Sequence, residues 1–343
     1  MFDLHKLVRK NVLELKPYSS ARDEFQGQAS VYLDANENPY STGYNRYPDP
    51  HQAAVKEKLG EIKQVDPSRI FLGNGSDEAI DLLFRAFCEP GVDNVLIPQP
   101  TYGMYAVSAD VNDVAIKSVK LTSKFDLDAK AILQICDSNT KLIFLCSPNN
   151  PSGNLLTREI AETILKEFTG LVVVDEAYID FTNQPGFVPL LNQYPNLVVL
   201  QTLSKAWGLA GIRLGICFAS PEIIQVLNKI KPPYNISILS QQVALDALNN
   251  ETRKKEWVKE IIAEREKLKG QLKNLPLVME VFPSDANFLL TRVTDAKDIY
   301  QKLVKRGVIV RDRTAVMLCD NCLRITVGTT EENQILIREL SAL

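Results

Sequence analysis

The chain of 343 residues is 45% hydrophobic and 24% charged, a composition typical of about two globular domains and not of a disordered or fibrous protein. Its 39 basic and 42 acidic residues leave a net charge of −3, which lacks the basic excess of a nucleic-acid-binding domain. Only two histidines are present, and we expect both His5 and His51 at the surface, so histidine-based hydrolysis and histidine-rich metal sites are disfavoured.

No apolar run approaches the roughly 18 residues of a transmembrane helix, and the first residues lack the apolar core of a signal peptide. We therefore expect a cytoplasmic protein that binds neither membranes nor nucleic acid. Most of the six cysteines lie in apolar runs, where a thiol packs as a small hydrophobic group. Cys319 and Cys322 form a lone CxxC pair, and because a zinc ribbon needs a second pair, we predict reduced thiols and no metal.

The N-terminal segment has apolar residues at helical spacing over 1–15, and an extended arm follows to Pro39. Prolines predict a loop over 45–50, and a short helix is expected over 51–63. From there to about residue 220, strand and helix patterns alternate. The strands are predicted at 70–72, 95–97, 115–119, 142–146, 171–174, 197–200 and 214–218, and the helices at 77–88, 102–110, 128–136 and 157–168.

Several of these strands are continuous apolar runs, as expected when helices cover both faces of a sheet. The alternation predicts an α/β domain with a mainly parallel sheet. The C-terminal part has a different pattern, typical of a smaller α+β domain, with helices at 237–249, 251–274, 295–305 and 331–341 and strands at 278–282, 286–290, 308–310 and 323–327. We predict an arm with part of the small domain over 1–40, a large domain over 41–235 and a small domain over 236–343.

Ligands of open α/β sheets bind beyond the carboxyl ends of the strands, so the residues that follow each apolar run are informative. A glycine turn after the first strand leads to Ser76 and Asp77 at a helix start, where free N–H groups favour a phosphate. Glu78 occupies the third glycine position of a dinucleotide fingerprint, which weakens that interpretation. By itself this segment is equally compatible with an ordinary capped turn.

Two further strand ends carry reactive groups. Asp175 follows the apolar run 171–174 and is suited to pair with a cation, or only to cap a helix. The run 197–200 leads to Thr202, Ser204 and Lys205, with Arg213 eight residues later. A lysine near a desolvated interior shifts its pKa readily, and hydroxyls with an arginine bind phosphate, although an exposed loop lysine remains an alternative. Together these groups are what pyridoxal phosphate requires, namely an amine, an acid, polar donors and a phosphate cup.

In combination, the stretches 149–153, 175–178 and 204–213 resemble the class-II, fold-type I aminotransferases, which depend on pyridoxal phosphate (PLP). The resemblance extends over nearly the whole chain. Within that family the chain is most similar to the branch that acts on histidinol phosphate. The resemblance implies a large domain with a mainly parallel sheet, a smaller α+β domain and a homodimer. Departures are mild: Ser152 stands where threonine is commoner, Thr202 stands where serine is commoner, and the Cys319–Cys322 segment matches no family motif.

The resemblance also assigns roles to residues. It implies that Lys205 forms the Schiff base and shuttles the proton, that Asp175 pairs with the pyridinium nitrogen, and that Asn150 and Tyr178 donate to the phenolate oxygen. It implies a stacking role for the ring of Tyr102. The implied phosphate ligands are Ser76, Asp77, Thr202, Ser204 and Arg213, with Tyr47 reaching across from the neighbouring subunit.

For the substrate, the resemblance implies that Arg324 binds the amino-acid carboxylate and that Arg324 and Arg311 bind a substrate phosphate. Tyr18 and Asn38 match arm positions near the substrate. The expected reaction interconverts histidinol phosphate plus 2-oxoglutarate and imidazole acetol phosphate plus glutamate, in histidine biosynthesis. The alternatives are a threonine-phosphate decarboxylase or a broad aromatic aminotransferase on the same fold, and, more remotely, a non-catalytic ligand-binding domain of a regulator.

Overall fold

A seven-stranded sheet forms the centre of the protein. The structure, a computed structural model, describes residues 2–20, 24, 25, 27 and 29–343, so part of the predicted arm lies outside the described residues. The strands are β1 (Ile70–Asn74), β2 (Asn94–Leu96), β3 (Ala115–Lys117), β4 (Thr140–Cys146), β5 (Leu171–Asp175), β6 (Leu197–Thr202) and β7 (Leu214–Phe218). Their order is β1-β7-β6-β5-β4-β2-β3, and only β7 runs antiparallel to its neighbours. The predicted mainly parallel sheet is confirmed.

Helices cover both faces of this sheet. Alternate residues of β4 point to opposite faces: Phe144 packs in one buried cluster, whereas Ile143 and Leu145 pack in another. This double burial explains why the strands are continuous apolar runs. The helices are Leu4–Leu7, Lys10–Glu14, Ala53–Lys63, Gly75–Phe87, Met104–Val111, Ala129–Ile135, Arg158–Glu167, Pro221–Ile230, Ile238–Leu248, Glu251–Lys273, Ala296–Lys305 and Thr330–Ser341, with short 3₁₀ turns at Pro67–Arg69, Ile179–Phe181, Val188–Leu190 and Ala210–Ile212.

The N-terminal segment is interrupted where its apolar spacing predicts continuous helix. The break falls at Val8 and Arg9, whose backbone is extended. The Arg9 amide donates to the carbonyl of Ala86 (2.9 Å), and its guanidinium contacts Glu89 (3.1 Å). Val8 and Val12 are buried in the cluster that includes the helix Gly75–Phe87. The apolar spacing thus marks the buried residues correctly, but docking on the large sheet layer breaks the helix.

The C-terminal part contains a four-stranded antiparallel sheet. Its strands are β8 (Val278–Val281), β9 (Phe288–Val293), β10 (Arg311–Asp312) and β11 (Cys322–Thr326), in the order β10-β11-β9-β8. Strand β10 lies beyond the predicted 308–310 because the Val308 amide closes the preceding helix by donating to Leu303 (2.9 Å). Leu290, Cys319 and Cys322 pack in one buried cluster with residues of β1. Apolar contacts therefore cross the predicted domain boundary at residue 235, and that boundary stays a prediction.

Several negative findings concern the described residues only. Within them, no helix combines the length and apolar character needed to cross a bilayer. The described part of the chain also contains no group of three or more metal-ligating side chains. All six cysteines are free thiols.

Glu176, directly after β5, is buried with its carboxylate fully engaged. Gln201 on β6 donates to Oε2 (2.8 Å), and the Phe187 amide donates to Oε1 (2.6 Å). Gly186 has φ +67°, and a Cβ there would lie 2.6 Å from Oε1, so the loop closes tightly over this carboxylate. Loss of hydration raises the pKa of Glu176 to about 7, while both hydrogen bonds and Lys63 oppose the rise.

We predict that replacing Glu176 by Gln changes how stability depends on pH. Because the folded-state pKa lies above the unfolded value, the native state holds this proton more tightly, and its stabilising effect is lost as pH rises from about 4.5 to about 7. Relative to the E176Q variant, the free energy of unfolding of the wild type should therefore fall by on the order of 3 kcal/mol across that window. Urea titrations at pH 4.5 and pH 8 measure this. The exposed-carboxylate variant Glu159→Gln serves as the control, and a gap that does not change with pH would contradict the prediction.

Candidate active site

A pocket opens at the carboxyl ends of β4, β5 and β6, beside the start of the helix Gly75–Phe87. Most of the predicted cofactor residues line it, although they come from distant parts of the chain. They are Ser76, Asp77, Tyr102, Asn150, Asp175, Tyr178, Thr202, Ser204, Lys205 and Arg213, joined by Gly75, Cys146, Ala177 and Ala210. The parallel strands place these groups at one sheet edge, as expected for a ligand site.

Asp175 is the buried acid at the floor of this pocket, 2% exposed. The Tyr105 hydroxyl donates to Oδ2 (2.6 Å), and the Ala177 amide donates to Oδ1 (3.0 Å). Burial raises the pKa of Asp175, while these two hydrogen bonds oppose the rise. A cation beside Asp175 would favour its charged form, so the floor of the pocket is suited to a positively charged ring atom.

Lys205 faces Asp175 from the turn after β6. Its Nζ lies 5.6 Å from the centre of the Tyr178 ring. Loss of hydration, and then the positive charge of Arg324, lowers the pKa of Lys205, while Asp175 acts in the opposite direction. A lysine with a lowered pKa has a larger fraction of neutral amine near pH 7, which is the form that acts as nucleophile and base.

A cradle for an anion is formed where the helix Gly75–Phe87 begins. Arg213, in the left-handed region at φ 54°, accepts the Gly75 amide on its carbonyl (2.9 Å) and extends its guanidinium to Asp77 (3.4 Å). A Cβ on Gly215 would lie 2.1 Å from the Ser76 nitrogen, so β7 passes directly beneath the helix start. Thr202 and Ser204 add hydroxyls, with the Ser204 amide donating to Thr202 Oγ1 (3.1 Å). Helix-start N–H groups, hydroxyls and a guanidinium together suit a phosphate.

The turn after β4 connects the pocket with the C-terminal sheet. Asn149 is buried and donates to the Pro100 carbonyl (3.1 Å) and to Ser152 (2.8 Å). Gly153, at φ +87°, accepts the Asp285 amide on its carbonyl (2.7 Å). These contacts leave Asn150 at the pocket wall, where its Oδ1 accepts from Arg324 (2.5 Å). The turn therefore brings a small-sheet arginine to the edge of the pocket.

Aromatic rings form the remaining walls. The Tyr102 hydroxyl donates to Asp77 (3.2 Å), and its ring meets Tyr105 edge-on at 5.5 Å. Tyr178 packs edge-on against Phe288, with ring centres 5.1 Å apart. Burial raises the pKa of both Tyr102 and Tyr178, so both phenols stay protonated and can donate hydrogen bonds.

Four predicted residues lie away from this pocket within the single chain. Tyr18 is exposed and lines a separate groove with His51 and Lys229. Asn38 is exposed and accepts the Tyr40 amide (2.9 Å). The other two are Tyr47, stacked on Tyr234 with ring centres 4.4 Å apart, and Arg311, which is opposite Arg324 in the β10–β11 ladder. The predicted roles of all four remain predictions.

Comparison with known proteins places the geometry in context. The sequence matches the model of the aminotransferase class I and II family over residues 25–340. It is 59% identical over 340 residues to the histidinol-phosphate aminotransferase of Parabacteroides distasonis, and the match covers 99% of each chain.

Solved structures agree with the sequence comparison. The histidinol-phosphate aminotransferase from Clostridium acetobutylicum superposes with a TM-score of 0.81 at 25% identity, covering 88% of this chain and 91% of that one. The Sinorhizobium meliloti histidinol-phosphate aminotransferase, solved in complex with pyridoxal-5′-phosphate, gives a TM-score of 0.80 at 22% identity over 87% of this chain and 82% of that one. At that identity the second similarity concerns the fold alone.

Tyr105 is the site residue that sequence reasoning missed. It lies on the helix Met104–Val111, three residues after Tyr102, and is fully buried. Apolar spacing alone therefore does not distinguish its ring from any other aromatic ring of the core. Its one distinguishing feature, the hydroxyl, has a partner 70 residues away. The available signal was weak: a tyrosine, rather than phenylalanine, on the buried face of a helix needs a polar partner.

We predict that replacing Tyr105 by Phe destabilises the protein by about 1.5–3 kcal/mol, because a buried carboxylate loses a charge-assisted hydrogen bond. Urea unfolding at pH 7 measures the change. The control is Tyr300→Phe, which removes a hydroxyl from a half-buried tyrosine in the C-terminal part. Equal stabilities of the Y105F and Y300F variants would show that the contact with Asp175 contributes nothing.

Proposed function

The chain belongs to the aminotransferase class I and II family, and on that premise we propose that it is a pyridoxal-phosphate-dependent transaminase. It interconverts histidinol phosphate plus 2-oxoglutarate and imidazole acetol phosphate plus glutamate, a reaction of histidine biosynthesis. Its fold is that of the fold-type I aminotransferases, as predicted. The observation that carries the proposal is the convergence of Lys205, Asp175 and an anion cradle on one pocket.

The donor set of the pocket fits pyridoxal phosphate. Gly75 has φ +72°, which L side chains rarely adopt, and a Cβ there would lie 2.6 Å from the Arg213 guanidinium, so a side chain at residue 75 would displace that guanidinium from the cradle. Ser76, Asp77, Thr202, Ser204 and Arg213 hold the phosphate through backbone N–H groups, hydroxyls and the guanidinium.

The ring of the cofactor is held by the remaining pocket residues. Tyr102 would stack on its face, Asn150 and Tyr178 would donate to its phenolate oxygen, and Asp175 would pair with its ring nitrogen. When bound, pyridoxal phosphate supplies an electron sink for the negative charge that develops at the substrate Cα. Asp175 would keep the ring nitrogen protonated, and Tyr105 and the Ala177 amide hold the carboxylate in place for that role.

Lys205 carries the proton transfer. Its Nζ is the amine that would hold the aldehyde of the cofactor, and it would act as a base when it is free. When free, Nζ would take the proton from the substrate Cα and release it on the cofactor side of the transferred amino group, because return to Cα would only regenerate the starting amino compound. The lowered pKa of Lys205, caused first by loss of hydration, favours the neutral amine needed for this role. A base of this kind explains how the enzyme works with histidines that are both exposed.

The substrate is held by residues at the edge of the pocket. Arg324 is directed toward it by its bond to Asn150 and binds the carboxylate of glutamate. With Arg311, its partner in the β10–β11 ladder, it also takes the phosphate of histidinol phosphate. Tyr18 and Asn38 reach the substrate from the arm. The threonine-phosphate decarboxylase, aromatic aminotransferase and regulator alternatives are not favoured, because the relative 59% identical over nearly the whole chain has the histidinol-phosphate activity in its name.

The functional unit that we propose is a homodimer. In the single chain, the segment around residues 13–47 exposes large apolar and aromatic side chains, including Leu33 at 88% and Tyr40 at 80%. A large exposed apolar surface of this kind marks an interface with another protein chain. In the dimer Tyr47 donates to the cofactor phosphate of the neighbouring subunit. We also infer the cytoplasmic location that the sequence predicts.

We expect Lys205→Ala to lower the rate of the half-reaction with histidinol phosphate by at least about a hundredfold, because the amine assigned as the base is removed. Stopped-flow absorbance of the pyridoxal-phosphate form measures this rate. Lys166→Ala, at an exposed helix position, is the matched control and should react as the wild type does. A K205A variant that still transaminates histidinol phosphate would contradict the assignment.

Mixed dimers test the shared site. A dimer of one Lys205→Ala chain and one Tyr47→Phe chain contains one site with both substitutions and one site with neither, if Tyr47 acts across the interface. At limiting pyridoxal phosphate, the purified mixed dimer should show the cofactor affinity of the wild type in one of its two sites, whereas the Y47F homodimer binds about tenfold more weakly. If Tyr47 acted within its own chain, no site of the mixed dimer would recover.

A further inference from the structure

A third arginine, Arg313, lies beside Arg311 and Arg324 in the small sheet, and of these three Arg324 reaches the edge of the pocket through Asn150. Arg311 lies opposite Arg324 in the antiparallel ladder, so both side chains emerge on one face of the small sheet. The Arg313 amide continues the ladder by donating to Cys322 (2.8 Å). Because alternate residues of an extended chain share a face, Arg313 projects on the same side as Arg311.

The charges of this cluster act on one another and on the pocket. Burial lowers the pKa of Arg313, and the positive charges of Arg324 and Arg311 lower it further. Arg313 and Arg324 both act on the phenol of Tyr178, which lines the cofactor pocket. The three guanidinium groups therefore form one electrostatic unit with the wall of the pocket.

This cluster has no counter-charge in the described part of the chain. None of its three arginines forms an ion pair there, and the one side-chain hydrogen bond of Arg324 goes to the neutral amide of Asn150. Arg313 Nε is buried and lacks an acceptor. Arg292 on neighbouring β9, by contrast, pairs with Glu280 (2.8 Å). Arg311 is exposed to solvent, and Arg324 also lies over the Phe288 ring at 5.3 Å, so Arg313 is the member whose buried N–H group lacks an acceptor. Since a buried donor without an acceptor is unfavourable, an anion bound at Arg313 would complete it.

The number of arginines indicates the charge of that anion. One guanidinium satisfies a carboxylate through a bidentate pair. A phosphate monoester has about −1.5 to −2 charges at pH 7 and three strong acceptor oxygens, so it can engage additional guanidinium groups. A third arginine with a free, buried N–H group is thus matched to a phosphate and exceeds what a carboxylate needs.

We propose that Arg313 is a specificity residue that binds the phosphate group of the substrate and makes the site prefer a phosphate monoester to a carboxylate. The inference rests on the proposed function and extends it, because the pair assigned above to the substrate phosphate consists of Arg311 and Arg324. It assigns to Arg313 the preference of the pocket for histidinol phosphate over glutamate.

The test compares two substrates in the Arg313→Gln holoenzyme. The variant should raise KM for histidinol phosphate by about tenfold to hundredfold, because it loses a charge-assisted contact. Its kcat should stay within about twofold of the wild type, since the contact is present before and during the reaction. KM for glutamate should change by less than about threefold, because Arg324 satisfies the carboxylate. Unchanged KM for histidinol phosphate, or an equal rise for both substrates, would overturn the proposal.

Two further variants separate specificity from folding. Arg313→Lys keeps the charge and loses the planar fork, so it should recover part of the affinity lost in the R313Q variant. Arg306→Gln removes one positive charge from the same part of the chain, where Arg306 pairs with Glu339 (3.3 Å), and should leave both KM values unchanged. If the R306Q variant weakened histidinol phosphate as much as R313Q does, net charge and not Arg313 would explain the effect.

Inorganic phosphate tests Arg313 independently of the substrate assignment. In the wild-type holoenzyme it should compete with glutamate, and the R313Q variant should weaken this inhibition by about tenfold or more. Equal inhibition of both proteins, or none of the wild type, would overturn the role of Arg313. Failure of the proposed function has a different signature, namely a wild-type holoenzyme that reacts with glutamate and does not react with histidinol phosphate.

Discussion

The buried carboxylate of Asp175 is the constraint on which the rest of the site depends. It ends β5, the fourth strand in the order of the sheet, where strands on both sides exclude water. A carboxylate there needs hydrogen-bond donors and a nearby cation to remain charged. Tyr105 and the Ala177 amide supply the donors, while the pocket above leaves room for a cationic ring. The surrounding elements bury this carboxylate on every side except the one that faces the pocket.

The same low-polarity environment shapes the neighbouring groups. Loss of hydration lowers the pKa of Lys205 and raises those of Tyr102 and Tyr178, so the amine is more readily neutral while both phenols stay protonated. A single physical cause thus prepares a base and hydrogen-bond donors in one pocket. Glu176, the next residue after Asp175, is buried as well, but its carboxylate accepts hydrogen bonds from Gln201 and the Phe187 amide. It does not line the pocket.

The small sheet brings positive charge to the edge of the pocket through Arg324. Asn150 lies in the turn after β4 of the large sheet and Arg324 lies on β11 of the small sheet, so their contact joins the pocket wall to the small sheet. The turn that holds Asn150 is fixed through Asn149 on one side and Asp285 on the other. The two sheets therefore share this wall of the pocket, and a shift of the small sheet would move Arg324 relative to Asn150.

The sequence by itself determined the strands of the large sheet, the main helices and the chemical inventory of the pocket. Continuous apolar runs such as Leu142–Cys146 indicate burial on both faces, and the polar residues after each run mark the ligand edge, because both signals are local. Only the tertiary structure decided which distant groups meet: Tyr105 with Asp175 across 70 residues, and Arg324 with Asn150 across 174. It also decided the break at Val8 and Arg9 and the missing counter-charge of Arg313. The physical reason is that periodicity encodes which side of an element is buried, whereas partners across the fold follow from how those buried sides stack.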